Sequence, residues 1–418
     1  MSEMVVPDGW TRTSISNLLS SECFFSDGDW VESKDQDPSG ENRLLQLADV
    51  GDGFFLSKSN RFLNNEQFER LGCTELKQGD ILIARMPEPI GRACITPKLK
   101  QRCATVVDVA ILRVRSADTY WLMSVINSSP FRREIEEHST GTTRTRIGRK
   151  SLSKIEFGAP PLPEQQKIAA ILTSVDDVIE KTQAQINKLQ DLKKGTMNEL
   201  LTRGIGHTEF KESPVGLIPV EWEVSSLADV SIKIQDGTHF SPKSKGGNYM
   251  YLTSKNIKFG KLRLDNMMYI SEQEHADIYR RCAVKHGDVL FTKDGANTGN
   301  AALNIIQEEF SMLSSVAFIR CHPSKYSNSF LLQFLLSERT QLEIQYLMSG
   351  NAITRMTLEK IKSLRVPVPA ISEQHEIASI LTSIDTQIDA KEVKVQHAQA
   401  LNKALMQGLL TGKTRVAI

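Results

Sequence analysis

One run of residues occurs twice in this chain. Glu164-Gln165, Ile168-Ala169, Ile171-Leu172-Thr173-Ser174 and Asp176 recur as Glu373-Gln374, Ile377-Ala378, Ile380-Leu381-Thr382-Ser383 and Asp385, an offset of 373 − 164 = 209 in 418 residues. The offset holds without a gap through Leu192/Leu401, Lys194/Lys403, Met197/Met406 and Leu200-Leu201-Thr202/Leu409-Leu410-Thr411. A fold for this chain must therefore consist of two equivalent units, each closed by the same long segment.

Upstream of that segment the repeat persists with a drifting offset. Trp10 follows Pro7 as Trp222 follows Pro219, Gly79-Asp80-Ile81-Leu82 matches Gly287-Asp288-Val289-Leu290, and Val109 to Arg113 matches Val316 to Arg320. Drift in the first part and constancy in the second imply loops that vary and a helix of fixed length. The apolar runs after the Gly-Asp turns, and those at 106–114 and 316–320, read as strands. The stretches 64–71 and 272–281 read as helices, as do 120–137 and 330–347, where apolar residues recur at helical spacing. Each unit should thus begin with a compact mixed α/β domain of ordinary size.

The closing segment is one long helix per unit. After Pro160-Pro161-Leu162-Pro163 the run from Glu164 to Leu201 contains no proline, and prolines belong at a helix start, not in its interior. Ile168, Leu172, Val175, Ile179, Thr182, Ile186, Leu189, Lys193, Met197 and Leu200 follow alternating spacings of four and three. Ile377, Leu381, Ile384, Ile388, Lys391, Val395, Ala398, Asn402, Leu405 and Leu409 form the matching seam. A seam with this heptad spacing marks helices that pack along each other, and polar residues at matching places can fix their register. At ~1.5 Å per residue each helix would be about 57 Å long. Parallel pairing would require the linker from Gly204 to Pro219 to run back at nearly full stretch, at ~3.3–3.6 Å per residue. Antiparallel pairing needs no such stretch. It would place the two mixed domains at opposite ends of a helical spacer, about a twofold axis like that of duplex DNA gripped at two half-sites.

Composition constrains the partner only weakly, since 51 Lys and Arg against 50 Asp and Glu leave a formal net charge of +1. Local patterning says more. Arg144, Arg146, Arg149, Lys150 and Lys154 lie in 139–155 without an acid, and seven cations lie in 231–263 beside the single Asp236. Both stretches are rich in Gly, Ser and Thr, so the cations are expected on loops and strand ends, where they suit phosphate contact. The competing reading is ordinary solvated surface. The six cysteines show no zinc-ligand spacing and read as reduced thiols. No apolar leader or apolar run of membrane-spanning length is present, so a soluble, cytoplasmic protein is expected.

These residues resemble a known family. Pro161-Leu162-Pro163-Glu164-Gln165 leading into Ile168 to Leu172, its copy at 373–381, the link from Leu201 to His207 with Gly216 to Trp222, the turn Asp236-Gly237-Thr238-His239 and the strand at 287–290 are similar to the DNA specificity (S) subunits of type I restriction-modification systems. The resemblance covers essentially the whole chain. It implies an α/β fold with two mixed target-recognition domains separated by two long helices packed as an antiparallel coiled coil, in a pseudo-twofold internal repeat. The expected divisions are 1–160 for the first recognition domain, 161–204 for the central long helix, 205–367 for linker and second domain, and 368–418 for the C-terminal helix. It further implies a bipartite duplex DNA target, assembly with two methyltransferase (modification) subunits that use S-adenosylmethionine, and assembly with ATP- and Mg-dependent restriction subunits. No cofactor is expected in this chain itself. Two departures stand out. The first unit lacks the Asp-Gly-Thr-His turn, and it has Arg85-Met86-Pro87 where the second has Lys293-Asp294-Gly295.

Nothing in the sequence supplies a catalytic constellation. There is no Asn-Pro-Pro-Tyr or Asp-Pro-Pro-Tyr string for adenine methylation and no phosphate-binding GxxxxGK[ST] loop, and Gly295 to Gly299 reads as a turn between strands. Phosphates should be met by Lys and Arg and base edges by Arg, Lys, Asn, Gln or His from loops. The candidate DNA-contacting residues are Thr142, Thr143, Arg144 and Arg146 in the first domain and His239, Lys243, Lys245 and Arg355 in the second. Arg355 occupies a place comparable to Arg146, 209 residues on. The alternative is a coiled-coil interaction scaffold with non-specific DNA affinity, which would bind scrambled duplexes equally well.

Overall fold

The computed structural model describes residues 6–20, 22–141, 145–244, 246–348 and 355–417. They fall into two compact units, one within 1–183 and 393–418 and the other within 184–392.

In the first unit the run Ile81–Ala84 is buried at every position. It lies between Val109–Arg113 and Ala93–Ile95, with Phe24–Asp27 beyond Val109–Arg113, all antiparallel. A second sheet pairs Asn42–Leu45 antiparallel with Phe62–Leu63 and parallel with Cys103–Thr105. Thr11–Ser14 pairs with Glu156–Ala159, so the start and end of the mixed domain are stitched together. The second unit repeats the plan. Ser231–Asp236, Val316–Cys321, Val289–Thr292 and Ala301–Leu303 form the four-stranded sheet, Met268–Ile270, Tyr249–Leu252 and Ser311–Met312 the three-stranded one, and Glu223–Ser226 pairs with Arg365–Val368. Strand order and direction match those of the first unit, so the duplication runs through the diverged domains as well as the helices. The second unit also contains a short hairpin, Phe210–Lys211 with Ile218–Pro219.

The recurring Gly-Asp turn and the recurring Arg are two ends of one contact. Asp80 accepts from the Arg113 guanidinium at 2.6 and 2.7 Å and from the Lys77 amide at 2.7 Å. Asp288 accepts from Arg320 at 2.8 and 2.7 Å and from the Lys285 amide at 2.7 Å. Both carboxylates are buried, and a two-point guanidinium pair fixes direction as well as charge.

The predicted helices at 120–137 and 330–347 are each two helices. The first divides into Thr119–Asn127 and Ser129–Glu137, because Ser128 is extended and Pro130 opens a new first turn. The other divides into Asn328–Leu336 and Glu338–Met348 at Ser337, whose hydroxyl accepts the Thr340 amide. The basic stretch at 139–155 is also not loop throughout, since Arg149–Lys154 is a short helix behind an extended Gly148.

The long helices run Leu162–Arg203 and Ile371–Leu409, with Pro163 in the first turn of the former. In the first unit Ile168 and Leu172 pack with Leu409, Leu410 and Trp10 in one core, and in the second Met197 and Leu201 pack with Ile377, Leu381 and Trp222. Within each unit the helices are antiparallel. Glu164 meets Arg415 while Asp176 meets Asn402, and Gln185, Lys193 and Ile205 meet Lys391, Asp385 and Glu373 in descending order.

The Glu-Gln pair that opens each helix docks it. Gln165 accepts the Asp118 amide at 2.9 Å and donates to Pro160 at 2.9 Å. Gln374 accepts the Ser327 amide at 2.8 Å and donates to Pro369 and Lys325 at 2.9 and 3.0 Å. Glu164 takes Arg415 at 2.8 and 2.9 Å. Glu373 takes Ile205 N at 2.9 Å and Trp222 Nε1 at 3.0 Å, with His207 Nε2 also at 3.0 Å. The tail after Gly412 thus does at the first helix start what the link after Gly204 does at the second.

Candidate nucleic-acid interface

Each unit gathers its cations about one strand-end carboxylate. In the first unit Asp27 ends its strand opposite Ala110. Its carboxylate lies 3.0 Å from Arg85 and 3.7 Å from Arg149, while Arg146 lies 3.3 Å from Asp108. Burial pushes the Arg85 guanidinium below its ordinary value, against the pull of Asp27. Three guanidiniums against two carboxylates leave this corner positive.

In the second unit Asp236 ends its strand opposite Ala317, and it lies 3.3 Å from Arg281, 3.6 Å from Lys293 and 3.6 Å from His239. Lys293 stands where the first unit has Arg85, and it also meets Asp294 at 2.8 Å. The carbonyls of Arg85 and Lys293 accept the amides of Ile147 and Met356 at 3.1 and 2.8 Å. Arg146 and Arg355, each one residue earlier, are therefore hung from equivalent points. Gly295 has φ 93°, and 295–299 is a turn between strands in which Thr298 donates to the Gly295 carbonyl.

The Asp-Gly turn is present in both units, which corrects the sequence reading that the first unit lacks it. Gly28 N donates to Val109 O at 2.8 Å and Asp29 N to Thr105 O at 2.7 Å, as Gly237 N donates to Val316 O at 3.2 Å and Thr238 N to Met312 O at 2.9 Å. A Cβ on Gly28 would stand 2.3 Å from the Val106 carbonyl, and one on Gly237 would stand 1.9 Å from the Met312 carbonyl. What differs is the outward pair, Asp29-Trp30 against Thr238-His239. A four-residue string match missed the turn because only its Asp-Gly half is dictated by the backbone.

The predicted contact residues divide unevenly. Arg146 is part-exposed beside Asp108; Arg355 is exposed and, among the described residues, its guanidinium has no partner. His239 is exposed beside Asp236. Lys243 is exposed on a segment whose amides at 243 and 244 donate to Glu274. Thr142, Thr143, Arg144 and Lys245 lie outside the described residues. Lys261, from the second basic stretch, is committed to the long-helix acids Asp389 and Glu392. Sequence reasoning passed over Asp27, Arg85 and Arg281; the 209-residue offset from Asp236 to Asp27 was the signal that could have found the first.

A duplicated mixed scaffold, carried on paired helices and with cations gathered about the same strand-end carboxylate in each copy, defines a protein of two related readers. Residues 40–191 and 219–398 match the type I restriction modification DNA specificity domain. The chain belongs to that family. The MjaVIII specificity subunit of Methanocaldococcus jannaschii is 30% identical over 288 residues, covering 68% of this chain and 67% of the relative. The EcoKI specificity subunit of Escherichia coli K12 is 21% identical over 301 residues, covering 68% of this chain and 62% of the relative. In fold the chain is similar to the type I S subunit from M. genitalium, with TM-score 0.62 at 15% identity over 96% of both chains. It is also similar to a chain from a structure of complex assembly and conformational transition in a type I system, with TM-score 0.55 at 15% identity over 98% of this chain and 100% of that one. Among the described residues no helix is long and apolar enough to cross a membrane.

Proposed function

We propose that each unit reads one half of an asymmetric, bipartite DNA target, and that the paired helices set the length of the unread gap between the halves. The observation that carries this reading is one scaffold with two surfaces: equal strand orders and equal Asp-Gly turns present Trp30 against His239 and Arg149 against Arg281, above the buried Arg85 and Lys293. Different side chains on one frame select different bases. Arg146, Arg355, His239 and Lys243 are assigned to DNA contact, as are Thr142, Thr143, Arg144 and Lys245 on sequence grounds alone.

Catalysis belongs to partners in this reading. Two methyltransferase subunits would supply S-adenosylmethionine-dependent adenine methylation, and restriction subunits would supply ATP- and Mg-dependent cleavage. The MjaVIII and EcoKI relatives are named as specificity subunits of restriction enzymes, which supports a directing role. Methylome mapping of a host with and without the gene tests the proposal, since a split motif with a fixed gap should vanish with the gene. Removing matched helical turns from both long helices should shorten the gap, and an unchanged gap would sink the spacer role. Loss of all sequence preference, with only a salt-dependent phosphate contribution left, would instead favour the scaffold alternative.

A further inference from the structure

Both units leave a large aromatic side chain in solvent on the outside of the same turn. Trp30 is 70% exposed and Phe240 is 81% exposed. Burying an aromatic ring is favourable, and two diverged domains both forgo this at one place. The turns that carry them are held on both sides. Asp29 accepts from the amide and hydroxyl of Thr74 at 2.9 and 3.2 Å, and Thr238 O accepts the Ser314 amide at 2.8 Å while its hydroxyl accepts the Phe240 amide at 3.3 Å. The indole N–H of Trp30 is satisfied by Glu32 at 3.3 Å, which leaves its ring as an apolar surface. Two residues before Trp30 and three before Phe240, a glycine with no room for a Cβ seats the turn against the neighbouring strand. Beside it stands the strand-end carboxylate that collects Arg85 and Arg149, or Lys293 and Arg281.

We infer that the Asp-Gly turn is the base-reading element of each unit, with Trp30 and Phe240 as its apolar contacts to the bases. The assignment rests on the DNA-reading function proposed above. Arg149 and Arg281, the accessible cations beside the turns, meet phosphate and fix each turn against the duplex, while the buried Arg85 and Lys293 hold the strand-end carboxylates. The ring then meets apolar base surface, either a thymine methyl group or the face of a partly unstacked base. His239, next to Phe240, adds a hydrogen-bonding group in the second unit that the first does not carry at that position.

The test is selection from a pool of randomised duplexes by the full chain, assembled with the subunits it binds, at one fixed salt concentration. If the wild-type assembly selects no motif, the DNA-reading function fails and this inference fails with it. If it selects a motif, Trp30→Ala should weaken discrimination by about tenfold or more at one or two positions of a single half. Phe240→Ala should do so in the other half. Trp30→His, which installs the residue type of the equivalent position, should change the preferred base and not only relax it. Full discrimination retained by both alanine variants, or affinity lost equally for every sequence, overturns the assignment while leaving the wild-type function standing.

Discussion

Asn402 donates its amide to Asp176 at 2.6 Å, and Lys193 meets Asp385 at 2.6 Å. Under the 209-residue repeat these are one contact, neutral in the first unit and ionic in the second. Burial holds the Asp176 carboxyl above its ordinary 3.8, against the pull of hydrogen bonds from Tyr120 and Asn402. A carboxyl raised in the folded state stabilises most below its unfolded value, and that contribution is lost as pH climbs from 3.8 through the folded value. Asn402→Lys supplies the missing cation. It should stabilise the protein by on the order of 1 kcal/mol near neutral pH and not at all where Asp176 is protonated, and calorimetry at the two pH values checks this.

Breaking the Gly-Asp contact should be among the most damaging single changes in the mixed domains. Asp80→Ala leaves the Arg113 guanidinium and the Lys77 amide without their acceptor. Removing one partner of such a pair costs about 3–5 kcal/mol. Asp288→Ala should match it, and denaturant unfolding compares the two.

The helix-start glutamines predict an ordering. Gln374→Leu removes three hydrogen bonds and Gln165→Leu two, at about 1 kcal/mol each before any cost of stranded partners. The shift in unfolding midpoint should be larger for Gln374→Leu.

Cysteine reactivity should be uneven. The hydrogen bond from Ser20 lowers the Cys23 thiol, whereas burial pushes Cys94, Cys282 and Cys321 up to about 12 and Cys73 and Cys103 up to about 11. Alkylation at mildly alkaline pH should therefore mark Cys23 first, because the thiolate is the nucleophile. Peptide mass spectrometry over a time course reads the order.

The helices were legible because the constraints that shape them are local: heptad spacing along the seam, and a proline cluster that permits only a helix start. The Glu-Gln pair was visible too, but its role was not. Gln374 works through Ser327, 47 residues away, and no periodicity encodes such a partner. The break at Ser128 turned on Pro130, whose fit to a first turn was outweighed in the sequence by apolar spacing that runs straight across it. Arg85 was hidden for another reason. Its carbonyl, not its side chain, carries the segment bearing Arg146, and a backbone role leaves no mark on residue type.

The exchange of tails between helix starts has a consequence for the order of events during synthesis. The second unit is drawn from the single span 184–392, whereas the first needs both 1–183 and 393–418. Its clasp between Glu164 and Arg415 joins residues 251 apart. On the ribosome the unit encoded second is therefore the first to have all its parts. The earlier one must wait, with Ile168, Leu172 and Trp10 short of their core neighbours Leu409 and Leu410, until residues 393–418 arrive to close it.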